Sequence, residues 1–108
     1  MNVQDVVNRS IQIRQKYDQL NTKNDTKWEA EDFMSGFVGD VGDLSKLVMA
    51  KRGLRGPIDA DIDEKLAHEL ADCLWSVCIL ADKYNIDLEA AFLKTMDELD
   101  DRLSESLA

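Results

Sequence analysis

The chain has 108 residues and a mass of 12.2 kDa, the size of one domain that buries roughly 60–70% of its unfolded surface. Thirteen Lys and Arg against 22 Asp and Glu leave a net charge of −9, which excludes a protein that wraps a nucleic-acid backbone. Hydrophobic residues at 44% and charged residues at 32%, with one Pro and five Gly, describe a folded helical chain and not a disordered acidic tail. Met1 to Asp5 carry no basic run leading into an apolar stretch, and no stretch of about 18 uncharged apolar residues occurs, so the expectation is a cytoplasmic protein without export signal or membrane anchor. Cys73 and Cys78 share one helical segment and point about 140° apart, so they do not pair with each other and fit a reducing compartment.

No repeat or linker divides the sequence, and residues 1–108 read as a single helical domain of four elements. Asn2 to Leu20 form the first, with Val3, Val6, Val7, Ile11, Ile13, Tyr17 and Leu20 as its apolar stripe. The polar run Asn21 to Asp25 ends it. Thr26 and Glu29 have the capping-box spacing that opens a second helix, which runs to about Arg52 and stops at Gly53. Gly53 to Ala60, holding Gly56 and Pro57, is the longest loop. Asp61 and Glu64 repeat the capping-box spacing at the head of a third helix ending near Tyr84, with Asn85 suited to a left-handed C-terminal position. Asp87 caps a fourth, amphipathic helix with Leu88, Ala91, Phe92, Thr95, Met96, Leu99 and Leu103 on one side. The fold class is therefore all-α, a four-helix bundle.

Two segments break local rules. The second helix carries an expected core stripe of Phe33, Phe37, Val41, Leu44 and Val48. Beside it stand Asp40 and Asp43, like charges three residues apart on one face. Gly36, Gly39 and Gly42 add a cost of roughly 1 kcal/mol each relative to Ala. In the third helix, Leu66 to Ala81 are apolar on nearly every side. Lys65, Glu69, Asp72 and Ser76 form one polar stripe about 60° wide. A thin solvated strip is the plain explanation for a lone Glu and Asp on a core helix. Two carboxylate pairs on successive helices, both flanking the faces through which those helices pack, point further. If Asp40, Asp43, Glu69 and Asp72 converge, their repulsion requires a compensating cation. All-carboxylate ligation suits a hard ion, Mg²⁺ or Mn²⁺, and an ion of that kind shares its coordination sphere with substrate phosphates.

Three stretches resemble the MazG-like all-α nucleoside triphosphate pyrophosphohydrolases, including their dCTP pyrophosphatase branch. They are Val38-Gly-Asp-Val-Gly-Asp-Leu44, His68-Glu-Leu-Ala-Asp-Cys-Leu-Trp75 and Leu80-Ala-Asp-Lys-Tyr-Asn-Ile-Asp-Leu-Glu-Ala-Ala91, and the resemblance extends over about residues 28 to 102. The family's signature is E-x-x-E on one helix and E-x-x-D on the next. Here the first pair is shortened to Asp40 and Asp43, while Glu69 and Asp72 match outright. The resemblance implies Mg²⁺-dependent cleavage of an NTP or dNTP to the monophosphate and pyrophosphate. Asp40, Asp43, Glu69 and Asp72 then serve as metal ligands and catalytic carboxylates, one of them orienting or deprotonating the attacking water. Substrate contacts are assigned to Trp28 by base stacking, to Lys51 at a phosphate, and to Lys94. The chain departs from the family at Ser76, where a Tyr is common, and at Thr95 and Leu99, where a Lys and an Asn are common.

Other readings fail on spacing. Asp59-x-Asp61-x-Asp63 starts like a calcium loop, but its sixth and twelfth positions are Glu64 and Leu70. A di-iron bundle needs Glu-x-x-His pairs, and the single His68 follows Lys65 by three. His68 itself reads as an edge residue of the packed face. The competing class is a non-catalytic acidic helical module that dimerises through its apolar third helix and binds a basic protein partner. Under either reading the third helix has more apolar surface than one small bundle covers, so a homodimer or homotetramer is expected.

Overall fold

The computed structural model describes residues 1–56 and 59–108, and among them only helices form: α1 Val3–Lys23, α2 Ala30–Lys51, α3 Ile62–Lys83 and α4 Leu88–Leu107. The expected loop of residues 53–60 lies partly outside the described residues, at Pro57 and Ile58. The chain is an all-α four-helix bundle, as its periodicity predicts.

Three helix ends, at Gly53, Asn85 and Asp87, are set by the residues expected from sequence, and the start of α1 by a pair that was not. Asn2 and Asp5 close a reciprocal capping box on α1, the Asp5 N–H donating to the Asn2 side chain at 2.8 Å and the Asn2 N–H to the Asp5 carboxylate at 2.9 Å. Gly53 ends α2 with φ of 73°, donating its N–H to Ala50 at 2.9 Å, and Asn85 ends α3 at φ of 55°. These are left-handed C-terminal stops. Asp87 accepts from the Ala90 N–H at 3.0 Å and caps α4.

Three boundaries differ from expectation. α1 continues through Asn21 to Lys23, and the turn falls at Asp25, which takes φ of 57° while the Thr26 N–H closes back on the Asn21 carbonyl at 2.7 Å. α2 is capped at Glu29 and not at Thr26, because the Glu29 N–H finds the Asp32 carboxylate at 2.8 Å whereas the Thr26 hydroxyl is turned to the Asn24 carbonyl at 3.3 Å. Asp61 does precede α3, but its carboxylate pairs with Lys65 at 3.5 Å and makes no side-chain cap.

The core lies between α2 and α3, with α1 packed on α3. Phe33 meets Trp75 and Lys83 toward one end of the pair and Lys51 meets Asp63 toward the other, so α2 and α3 run antiparallel. The packed line of α2 is Phe33, Phe37, Asp40, Leu44 and Leu47, while Val41 and Val48, expected in the stripe, are exposed. Its counterpart on α3 is Ile62, Leu66, Glu69, Cys73, Ser76 and Leu80. Both lines repeat at alternating steps of three and four, the period of two helices packed nearly parallel along their length. That period places one carboxylate from each helix, Asp40 and Glu69, inside the seam.

α4 meets mainly α1, anchored where Glu89 accepts the Gln4 N–H at 2.9 Å at the first turn of α1. No α4 residue is buried, and Phe92, Leu93 and Leu103 are half or more exposed. The radius of gyration is 17.3 Å, against about 13 Å for a compact chain of this length.

Candidate metal site and adjoining clefts

Asp40, Asp43 and Glu69 each offer a carboxylate oxygen, and these oxygens lie within 4.8 Å of one another. α2 supplies the first two from adjacent turns and α3 supplies the third from across the seam. Burial pushes the Asp40 pKa above its ordinary value, and the Asp72 and Asp43 charges push it in the same direction, with His68 opposing them. Glu69 is raised for the same reasons, burial first, then Asp40, Asp72 and Asp43. The Cys73 thiol, next on the α3 line, is also raised, by burial and by the same carboxylates.

Asp72, expected as a fourth member, is not among the three mutually close oxygens, but its charge acts on both Asp40 and Glu69 and it shares the wall of a cleft with Asp40. His68 Nε2 lies 3.1 Å from its carboxylate, one turn away along α3. Glu69 Oε2 is shielded from solvent and has no hydrogen-bond partner among the described residues. A buried carboxylate oxygen without a donor is costly, and a cation is the group that removes the cost. An all-oxygen donor set of this charge fits a hard divalent ion.

Two clefts flank the cluster. The first, about 630 Å³, has Tyr17, Trp28, Phe33 and Trp75 among its walls and reaches Asp40 and Asp72. Its rings are mutually braced: Phe33 lies 5.3 Å from Trp28 and 5.8 Å from Trp75, and Tyr17 lies 6.0 Å from Trp75, centroid to centroid. The Trp75 indole N–H donates to the Ser10 carbonyl at 3.3 Å, which fixes the ring against α1. Volume and lining are those of a pocket for a flat organic group. The second cleft, about 460 Å³, adjoins the cluster through Asp43 and Glu69 and includes Lys46, Lys65 and His68.

The other residues proposed from sequence fall as follows. Trp28 lies in the α1–α2 connection and lines the aromatic cleft. Lys51 is paired with Asp63 at 2.8 Å. Lys94 is on the exposed surface of α4, 4.0 Å from Glu98. Neither lysine lines either cleft. Sequence reasoning passed over Tyr17, Phe33 and Trp75 as cleft walls and Lys46 as a cleft cation. The alternating three-four line through Phe33, Asp40 and Leu47 is the signal that locates the seam.

The helical bundle thus sets a cluster of three carboxylates beside an aromatic cleft, a donor set that fits a divalent cation next to a pocket that fits a flat organic group. The chain belongs to the MazG nucleotide pyrophosphohydrolase domain family, whose model matches residues 33–105. The family comprises divalent-metal-dependent enzymes acting on nucleotides. The match begins at Phe33 on α2 and takes in all of α3 and most of α4. Neither a curated protein nor a solved structure matches the chain. Among the described residues, no helix is long and apolar enough to cross a membrane.

Proposed function

We propose that this single MazG-like domain is a Mg²⁺-dependent pyrophosphohydrolase that cleaves a nucleoside triphosphate, ribo or deoxy, to the monophosphate and pyrophosphate. Its cellular role on this reading is removal of unwanted nucleotides from the cytoplasmic pool. The observation that carries the reading is the adjacency of the carboxylate cluster to the aromatic cleft. Asp40, Asp43 and Glu69 would hold the ion, with Asp72 as the fourth carboxylate. Bound there, Mg²⁺ or Mn²⁺ supplies charge neutralisation for the triphosphate and polarises the phosphoryl oxygens.

The chain's own side chains do the rest. Trp28, Tyr17 and Trp75 offer ring faces to the base, and the seam positions the α-phosphate over Asp40. One carboxylate of the set accepts the proton of the attacking water. The water oxygen bonds to the α-phosphorus, the bond to the α–β bridging oxygen breaks, and that oxygen leaves with the electron pair as pyrophosphate. Once the ion has offset the cluster's charge, the −9 chain accepts a short phosphate chain while still repelling long nucleic acids.

The protomer is proposed to work as a homodimer or homotetramer. Its accessible surface is 8076 Å², against about 6,000 Å² for a monomeric protein of this mass. The excess of about 2,000 Å² is the scale of an obligate interface, and it includes Leu70 and Leu74 of α3 and the apolar side of α4. The exposure of Leu70 and Leu74 accords with the expectation that α3 carries more apolar surface than one small bundle covers, and on this reading a second copy would cover it.

A panel of standard and modified nucleoside triphosphates, assayed with Mg²⁺ or Mn²⁺ for released pyrophosphate, tests the reading. Turnover of at least one substrate, abolished by Glu69→Gln, is the expected result. No turnover across the panel, together with a melting temperature indifferent to Mg²⁺, returns the chain to the acidic dimerisation module that binds a basic partner.

A further inference from the structure

The cleft on the far side of the carboxylates from the aromatic rings has no role in holding the ion or the base. Asp43 and Glu69 form its border with the cluster, and beyond them lie Lys46 on α2 and Lys65 and His68 on α3. Lys46 stands one helical turn past Asp43, about 4.5 Å further along the axis. Lys65 stands one turn before Glu69, which in an antiparallel pair is the same direction. Along the seam the order is therefore aromatic rings, carboxylates, then a cleft of mixed charge that holds Lys46, Lys65 and His68.

These cations are not equivalent. Lys65 is already paired, with Asp59 at 3.0 Å and Asp61 at 3.5 Å, and His68 faces Asp72 at 3.1 Å. Lys46 has no ion-pair partner among the described residues. It is exposed one turn beyond Asp43, on a stretch of α2 from Leu44 to Ala50 that carries no other charge. Asp61 and Glu64 also line the cleft, so an anion entering it is held by directed contact with Lys46 and not by a broad positive field.

We infer that this cleft is the leaving-group subsite, in which Lys46 binds the β- and γ-phosphates and then the released pyrophosphate. The inference rests on the pyrophosphohydrolase reading for its substrate, but not for its ligand, because inorganic pyrophosphate alone should bind there with Mg²⁺. The geometry makes Lys46 a reader of phosphate-chain length: a triphosphate spans rings, carboxylates and Lys46, whereas a monophosphate stops at the carboxylates. As the α–β bond breaks, the negative charge that develops on the departing oxygen is carried toward the Lys46 ammonium, which donates hydrogen bonds without giving up its proton.

The test is calorimetric binding of inorganic pyrophosphate, with Mg²⁺ present, to the wild type, Lys46→Gln and Lys46→Arg, alongside inhibition by the nucleoside monophosphate product. Lys46→Gln should weaken pyrophosphate binding at least about tenfold, the size of one charge-assisted hydrogen bond, and Lys46→Arg should restore most of it. Monophosphate inhibition should stay within about twofold of wild type. Equal pyrophosphate affinity in Lys46→Gln, an equal loss for the monophosphate, or no pyrophosphate binding by the wild type overturns the inference. A wild type that hydrolyses no triphosphate yet binds pyrophosphate through Lys46 removes the catalytic reading and leaves the subsite standing.

Discussion

Replacing Asp40 with Asn should raise the stability of the metal-free protein and lower that of the metal-loaded one. In the structure the Asp40 carboxylate has like charges on Asp43 and Glu69 within 4.8 Å. A bare pair at that distance repels by about 3.5 kcal/mol at an effective dielectric of 20. Solvent reaches Asp40, so the scale measured for exposed pairs, about 0.2–1 kcal/mol each, is the appropriate one. Removing the charge should therefore stabilise the chelated protein by about 1 kcal/mol, or roughly 4–8 °C in melting temperature for a domain of this size.

The sign with pH follows from the raised pKa of Asp40. A carboxyl that holds its proton more tightly folded than unfolded loses folded-state stability as pH rises from its unfolded pKa through its folded one. The advantage of Asp40→Asn should thus be absent in acid, grow through the carboxylate range and be full at neutral pH. Adding Mg²⁺ at about 100 times its Kd stabilises the wild type by about 2.7 kcal/mol through linkage, and the variant should lose most of that gain, so the order of melting temperatures inverts. Differential scanning calorimetry in chelator and in Mg²⁺, across pH, reads both halves. A variant that melts lower in chelator, or that gains as much from Mg²⁺ as the wild type, refutes the account of the cluster.

Further outcomes can be checked by standard solution measurements. Gly42→Ala should stabilise by about 1 kcal/mol in urea unfolding, because it lies within α2 with no heavy atom near enough to obstruct a methyl group. Ile79→Ala should cost about 2–5 kcal/mol, since Ile79 is fully buried. Phe92→Asp on α4 should shift the sedimentation coefficient to that of a single chain and make the melting temperature independent of concentration; an unchanged assembly would place the interface elsewhere. Cys73 should alkylate slowly at neutral pH, since its thiol is raised by burial and neighbouring carboxylates, with rapid labelling as the contrary result.

The helices and several of their ends were legible because they depend on neighbours in sequence: Gly53 after Arg52, Asn85 after Tyr84, Asp87 before Leu88. The start of α2 was not, because Thr26 and Glu29 compete for the N-cap and the winner is decided by how the α1–α2 turn closes on Asn21. The carboxylates were visible as a group, since two pairs spaced by three on adjoining helices are unusual. Which of them enter the seam was hidden by the choice of stripe. Phe33, Phe37, Val41, Leu44 and Val48 satisfy a helical period, but the packed line substitutes Asp40 for Val41 and Leu47 for Val48. Apolar character alone favours the first line; only a partner helix bringing Glu69 selects the second. The i,i+4 spacing of His68 and Asp72 brings them together on one face of α3, whereas the pairing of Lys51 with Asp63 crosses between helices, which residue spacing does not specify.

The bracing of Trp75 and Trp28 around Phe33 has a practical consequence. These are the chain's only two tryptophans, and both line the aromatic cleft, so its intrinsic fluorescence is concentrated at one place. A purine or pyrimidine entering between the rings should quench emission, whereas inorganic pyrophosphate at the other end of the seam should leave it nearly unchanged. Trp28, set in the α1–α2 turn, should respond differently from Trp75, whose indole is tied to Ser10. Single Trp→Phe variants would then separate the two signals and time the arrival of the base independently of turnover, with no label attached.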